Sequence, residues 1–312
     1  DIKFPSSRYD IQTEVNRSAV PIPLYIGYED GAVLKLMVQS KNYSRTFEVT
    51  ELKENYFPNG IFEIPYILGS DMSGVITDIG SDVKNYKIGD EIIGSLEWLK
   101  QGACAEYVVT KEKFITHKPK NLSFEESAVV PLSSLTAWQG LFNHLNLRSG
   151  QKVFITAGTG GVGIFAIQFA KWKGAYVIAT ASENNKDVLL SLDADEVIDY
   201  NDEDKISKLR EIDCAFDSVM MREKLFRALK KGGKYISING KPTLEEIKGY
   251  DIIAGHFLFK SDAEDLSEIV GLIEENKLKI IIDRRFNFKE VKDALLYQKL
   301  GHSIGKNVII LS

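Results

Sequence analysis

The sequence predicts an α/β protein: a doubly wound parallel-sheet domain inserted into a smaller β-barrel domain. Three observations carry this prediction. Short strand-like runs broken by turns fill the first third of the chain, strand and helix patterns alternate strictly after Gly150, and the last residues return to a strand. The boundaries fall at 1–122 and 284–312 for the β-rich domain and at 123–283 for the inserted one.

The first β runs are AVLKLMVQ, GVITDIG, DEIIGSL and CAEYVVT, with glycines at the breaks. The period then changes at FEESAVVPLSSLTAWQGLFNHL, which predicts two short helices, with Ser123 as N-cap and Glu126 closing a capping box. KVFITA, YVIATA, EVIDY, CAFDSV and KYISING read as the strands of the inserted sheet. IFAIQFAKWKGA, KDVLLSLDA, EKLFRALKKGG and DLSEIVGLIEENK read as its helices. A short helix at EVKDALLYQKL leads to the final strand, KNVIILS.

Composition narrows the function. The 312 residues are 44% hydrophobic and 27% charged, with a formal net charge of -5. The charges are interspersed, so no basic face is offered to nucleic acid or anionic lipid. No apolar run approaches the roughly 20 residues of a bilayer span. The opening DIKFPSSRYDIQTEV lacks the blocks of a signal peptide, which predicts a cytoplasmic address. The chain begins at Asp1 rather than Met, leaving open whether a piece was trimmed or the chain was excised from something longer. Two cysteines, Cys104 and Cys214, are too few for a disulfide framework or a four-cysteine structural zinc lobe, and each reads as a small buried hydrophobe.

The segment KVFITAGTGGVGIFAIQFAKWKGA carries the most weight. It sets Gly158, Thr159, Gly160, Gly161, Val162 and Gly163 between a hydrophobic strand and an amphipathic helix. Glycines there allow a tight turn, close approach of backbone N–H groups to a pyrophosphate, and helix–strand contact. The following strand ends at Ala181-Ser182, where NAD proteins present an acid to the ribose 2′-hydroxyl and NADP proteins a cation or small polar group. Ser182 and Lys186 suit a 2′-phosphate, and Tyr200, at the end of the third strand, suits stacking beside the adenine. Glu183 dissents: it either takes the NAD role or points to solvent. The balance of charge favours NADPH.

Together AGTGGVG, the upstream PLSSLTAWQGL, GSDMSGVITDIGSDVKNYKIGDEIIG and the closing GHSIGKNVII resemble the medium-chain dehydrogenase/reductase superfamily, and within it the zinc-independent quinone oxidoreductase (zeta-crystallin-like) branch. The resemblance runs from about Gly31 to the C-terminus. It implies a GroES-like catalytic domain, a Rossmann domain and a cofactor cleft where they meet. Zinc-dependent members carry Gly-His-Glu where this chain reads Gly69-Ser70-Asp71, and their upstream cysteine falls in QSKNYSRT, which has none. His117, His144, His256 and His302 are scattered without ligand spacing, so no metal is expected.

The resemblance also implies hydride transfer to a quinone or an α,β-unsaturated carbonyl, a small-molecule substrate. Asn42 and Tyr43 match the family's site-lining loop. Tyr43 either donates to the substrate carbonyl or α-carbon, or only packs over the nicotinamide. Thr136 resembles the residue near the nicotinamide and ribose, or else bonds back to its own helix. Asp71 either supports the site or closes a turn. Asn239, Gly240, Phe257 and Phe259 resemble segments flanking the nicotinamide, with core packing the alternative for the phenylalanines. The chain departs from the family in its first 30 residues, in the long aromatic stretch SRTFEVTELKENYFPNGIFEIP and at Ser218-Val219-Met220-Met221 after CAFD, where a Gly pair is usual. Other functions stay open: an enoyl-thioester reductase, including an excised synthase domain, and a non-catalytic NADPH-binding protein. Exposed edges of the parallel sheet favour a homodimer by strand addition.

Overall fold

A computed structural model describes residues 69–96 and 102–311 together with residue 67, and the backbone alone of 34–37. Two compact units emerge, one drawing on Asp1–Leu132, Lys260–Glu275 and Ile282–Ser312, the other on Ser133–Phe259 and Asn276–Ile281.

Five strands open the first unit: β1 (Leu34–Met37), β2 (Asp71–Ile79), β3 (Glu91–Ser95), β4 (Tyr107–Thr110) and β5 (Ile115–His117). They form one antiparallel sheet in the order β4-β1-β2-β3-β5. Met72, Ile76, Ile92, Leu96, Val108 and Ile115 make its core, with Met72 and Ile76 on one face of β2. The short helix α1 (Phe124–Ala128) starts with the expected capping box. Ser123 Oγ accepts from Glu126 N, and a Glu126 carboxylate oxygen accepts from Ser123 N. Helix α2 (Pro131–Trp138) follows and widens into a π-type turn, Gln139–His144.

The second unit is built on β6 (Lys152–Ile155), α3 (Gly161–Trp172), β7 (Tyr176–Ala181), α4 (Lys186–Leu190), β8 (Glu196–Asp199), α5 (Glu203–Lys208), β9 (Ile212–Asp217), α6 (Arg222–Ala228), β10 (Leu229–Ser237), α7 (Leu244–Ile247) and β11 (Ile252–His256). The strands pair in parallel in the order β11-β10-β9-β6-β7-β8. This is the doubly wound order, reversing between β6 and β9. Val153, Phe154, Ile155 and most of β7 and β9 are buried, as strands covered on both faces must be.

The chain then returns to the first unit through α8 (Ala263–Glu274), β12 (Ile282–Asn287), α9 (Val291–Lys299) and β13 (Lys306–Ile310), with β12 and β13 pairing in parallel. Helix α8, which the sequence pattern places in the inserted domain, packs instead on β5, and Asn121 Nδ2 donates to Ile273 O. Its apolar stripe of Leu266, Ile269, Val270 and Ile273 fixes which face is buried but not which layer receives it. The helix expected over EKLFRALKKGG stops at Ala228, where Leu229 leaves the helical region and β10 begins. Strands β5, β11 and β12 are additional to the predicted set.

Candidate functional site

The Gly-rich turn sits where the strand order reverses. Ala157 takes a left-handed φ of 49°, Gly158 N donates to Thr180 O, and Ala157 N donates to Thr180 Oγ1, so the turn is pinned to β7 from two sides. The absence of side chains is a packing requirement. A Cβ on Gly158 would lie 2.5 Å from Leu189 Cδ1 and one on Gly163 would lie 2.3 Å from Ala157 O, against backbone that cannot swing away. Gly160 is the N-cap of α3 and provides no side-chain cap for the N–H groups of Gly161, Val162 and Gly163. Thr159, Gly160, Gly161 and Val162 are partly exposed. Uncapped donors at the positive end of a 12-residue helix, approached over bare backbone, fit a pyrophosphate.

On one side of this turn, Ser182 and Tyr200 end neighbouring strands, and Tyr200 N donates to Ala181 O. Ser182 precedes the short helix Glu183–Asn185 without capping it. Lys186 begins α4, is half-buried, and has no ion-pair partner among the described residues. Tyr200 is 49% exposed, as a stacking platform must be. Glu183 is exposed. Its N–H is held by Asp199 Oδ2, whose Oδ1 also accepts from Asn201 N. Beyond the ends of the neighbouring strands β7 and β8 the chain thus carries a hydroxyl, a cation and an exposed aromatic ring.

On the other side, Asp217 ends β9 fully buried and accepts four hydrogen bonds. Thr156 Oγ1 and Val219 N donate to Oδ1, and Tyr235 OH and Met221 N donate to Oδ2. Burial nevertheless pushes its carboxyl above the ordinary value. Asp217 thereby shapes the turn 218–221, in which Met220 is left-handed with φ 61°. Asn239 donates from Nδ2 to Ser218 O, and Gly240 follows with φ 106°. Asp217 is not among the residues singled out from the sequence; its signal is an acid closing an otherwise apolar buried strand, CAFD.

Phe257 and Phe259 are buried, and Phe257 packs 4.4 Å from the His144 ring and against the Gly140 position. Thr136 is buried within α2. Asn42 and Tyr43 lie outside the described residues, as does the stretch 44–65.

In the first unit, Gly69 is left-handed at φ 83°, Ser70 is buried, and Asp71 opens β2. Asp71 Oδ1 accepts from Leu132 N at 2.8 Å, and Lys306 Nζ stands 3.6 Å from Oδ2. Burial holds the Asp71 carboxyl above its ordinary value, with Lys306 and the Leu132 N–H opposing. Asp71 therefore ties β2 to the start of α2 and to β13. Burial also pushes the Cys104 thiol up to about 12 and the Cys214 thiol up to about 11, so neither is a thiolate at neutral pH. Among the described residues no three His, Cys, Asp or Glu side chains converge to hold a metal. No helix there is long and apolar enough to cross a membrane.

A doubly wound sheet with this turn defines a dinucleotide-binding α/β protein. The model described as "Alcohol dehydrogenase GroES-like domain" matches residues 30–120, and that described as "Zinc-binding dehydrogenase" matches residues 192–309. The chain is 34% identical to the chloroplastic NADPH-dependent alkenal/one oxidoreductase of Arabidopsis thaliana, over 79% of this chain and 64% of that protein. It is also 34% identical to the chloroplastic quinone-oxidoreductase QR1 of Triphysaria versicolor, over 79% of this chain and 80% of that one. The solved quinone oxidoreductase of Coxiella burnetii is 31% identical and superposes with a TM-score of 0.77 over 94% of this chain and 93% of that one. The chain belongs to the medium-chain dehydrogenase/reductase superfamily, in its quinone oxidoreductase branch. It spans under two thirds of the length of the Arabidopsis relative.

Proposed function

We propose that the chain reduces the C=C bond of an α,β-unsaturated carbonyl, or a quinone, with NADPH as reductant and without zinc. The carrying observation is the lack of room for any side chain at Gly163, whose Cβ would meet the Ala157–Gly158 backbone, beside an uncapped helix N-terminus. NADPH supplies the hydride when bound. Gly161, Val162 and Gly163 hold its pyrophosphate through their N–H groups, while Ser182 and Lys186 grip the 2′-phosphate and Tyr200 covers the adenine. The turn shaped by Asp217, with Asn239 and Gly240, borders the nicotinamide half, as do Phe257 and Phe259. Thr136 lies by the ribose, Asn42 lines the substrate loop, and Tyr43 donates to the substrate carbonyl as negative charge develops there. The names of the alkenal/one and quinone relatives support the acceptor class. Ser70, at the place of the zinc enzymes' histidine, supports metal-free chemistry.

A cytoplasmic address belongs to the same reading, resting on two free cysteines. So does a homodimer. Strand β11 is a sheet edge, with Ile253 63% exposed, and suits pairing with a second copy. A single monomeric mass in solution would exclude that pairing.

The deciding experiment follows NADPH and NADH oxidation at 340 nm with a quinone, an alkenal and an enoyl-CoA in turn, with and without a chelator. Turnover of an alkenal or quinone with NADPH, undiminished by chelation, supports the reading. Exclusive turnover of enoyl-CoA favours a thioester reductase, and NADPH binding without any turnover favours a non-catalytic protein.

A further inference from the structure

Arg222 begins α6 directly after the turn that Asp217 shapes, beyond the carboxyl ends of β9 and β10. Its Nη1 is committed to both oxygens of Glu246, at 2.7 and 3.0 Å. The other edge of the guanidinium, Nε with Nη2, is the pair of parallel donors that clasps a carboxylate or phosphate side-on. Nε is buried with no hydrogen-bond partner, and Nη2 looks onto Gly240, where a Cβ would stand 3.1 Å away. Ser218 Oγ, in the same turn, is a second buried hydroxyl with no partner.

Two orphaned donors in one turn are unusual, because each costs roughly a hydrogen bond unless a group outside the chain satisfies it. Two cations, Arg222 and Lys241, act on His256 beside this seat. Burial above all, with Arg222 and Lys241 adding to it, holds His256 below its ordinary value, and the neighbouring acids Glu246 and Asp217 are already engaged. In a doubly wound sheet the β9–β11 half lies opposite the half that holds the adenylate, so this seat is separate from the 2′-phosphate position at Ser182 and Lys186.

We infer that the substrate carries an anionic oxygen group that docks on the Nε–Nη2 edge of Arg222 with help from Ser218, an inference that rests on the reductase reading above. Selectivity then favours enones with an acidic tail over neutral ones.

The test compares 4-oxo-2-pentenoic acid with its methyl ester. The native protein should reduce the acid with at least tenfold higher kcat/KM, chiefly through KM. R222Q should lose that preference, R222K should restore part of it, and E246Q, which breaks the same ion pair but leaves the guanidinium, should keep it. No preference in the native protein, or equal loss in E246Q and R222Q, would overturn the inference. So would a tenfold weaker NADPH affinity in R222Q with acid preference intact, which would make the cofactor the anion. Calorimetric titration with 4-oxopentanoate separates the two readings. If neither enone is reduced, yet the saturated acid binds the native protein and not R222Q, the seat stands and the reductase reading falls.

Discussion

Tyr235 donates its buried hydroxyl to Asp217 Oδ2 at 2.7 Å, tying β10 to the end of β9 and to the turn that follows. Tyr235→Phe removes one of four donors to a buried carboxyl and should lower stability by about 1.5 kcal/mol. Asp217→Asn places an amide NH2 among groups that already donate, and should cost about 3 kcal/mol. Urea unfolding of both variants checks the order. Equal losses would mean that the four donors do not converge on Asp217.

The close approach of Gly163 to Ala157 makes the site sensitive to a single methyl group. Gly163→Ala should weaken NADPH binding at least tenfold and lower stability by about 1–3 kcal/mol, since the helix must move off the turn. Gly160→Ala should do much less, because its Cβ would meet only Ala157 O at 3.3 Å. Fluorescence titration with NADPH and thermal melts of both variants test the contrast.

Cofactor choice rests on the end of β7. Lys186→Gln should raise the Kd for NADPH about tenfold, and Ser182→Ala combined with it about a hundredfold, at about 1.4 kcal/mol for each charge-assisted hydrogen bond removed. NADH affinity should stay within about twofold, because NADH lacks the 2′-phosphate. A parallel loss for both cofactors would move the phosphate site elsewhere.

Asp71 gives a pH signature. Its folded value lies above the ordinary 3.8, so between the two values the folded state binds more protons than the unfolded chain. The contribution of Asp71 to stability is therefore full below about pH 3.8 and falls as pH rises through the folded value. Asp71→Asn lacks this titration, so its stability relative to the native protein should improve as pH rises from about 3.8 and level off above the folded value. Urea midpoints across that range would show a flat difference if Asp71 titrated alike in both states.

Local chemistry makes much of this protein legible in its amino-acid order alone. Glycines at 158, 160, 161 and 163 between an apolar strand and an amphipathic helix point to a nucleotide turn, and at Gly158 and Gly163 the packing leaves no room for a side chain. Ser123 and Glu126 fix a helix start by satisfying each other's backbone donors, and the structure shows both bonds. The strand ends beside which Ser182 and Tyr200 stand are legible because hydrophobic runs mark them.

Tertiary structure decided what sequence periodicity leaves open. The apolar stripe of α8 names a buried face but not its partner, and only packing places it on β5. Asp71 and Lys306 stand 235 positions apart in the chain, and nothing local couples them before β2 and β13 are brought together. The same holds for Asp217, whose four donors come from the residue after β6, from β10 and from its own turn. The sequence by itself determined the Gly-rich turn and the alternation of strand and helix around it, since these follow from backbone sterics and hydrophobic period, but not β5, β11 or β12. Long-range burial alone decided which acids are buried, which cation is left with a free edge, and where the returning helix docks.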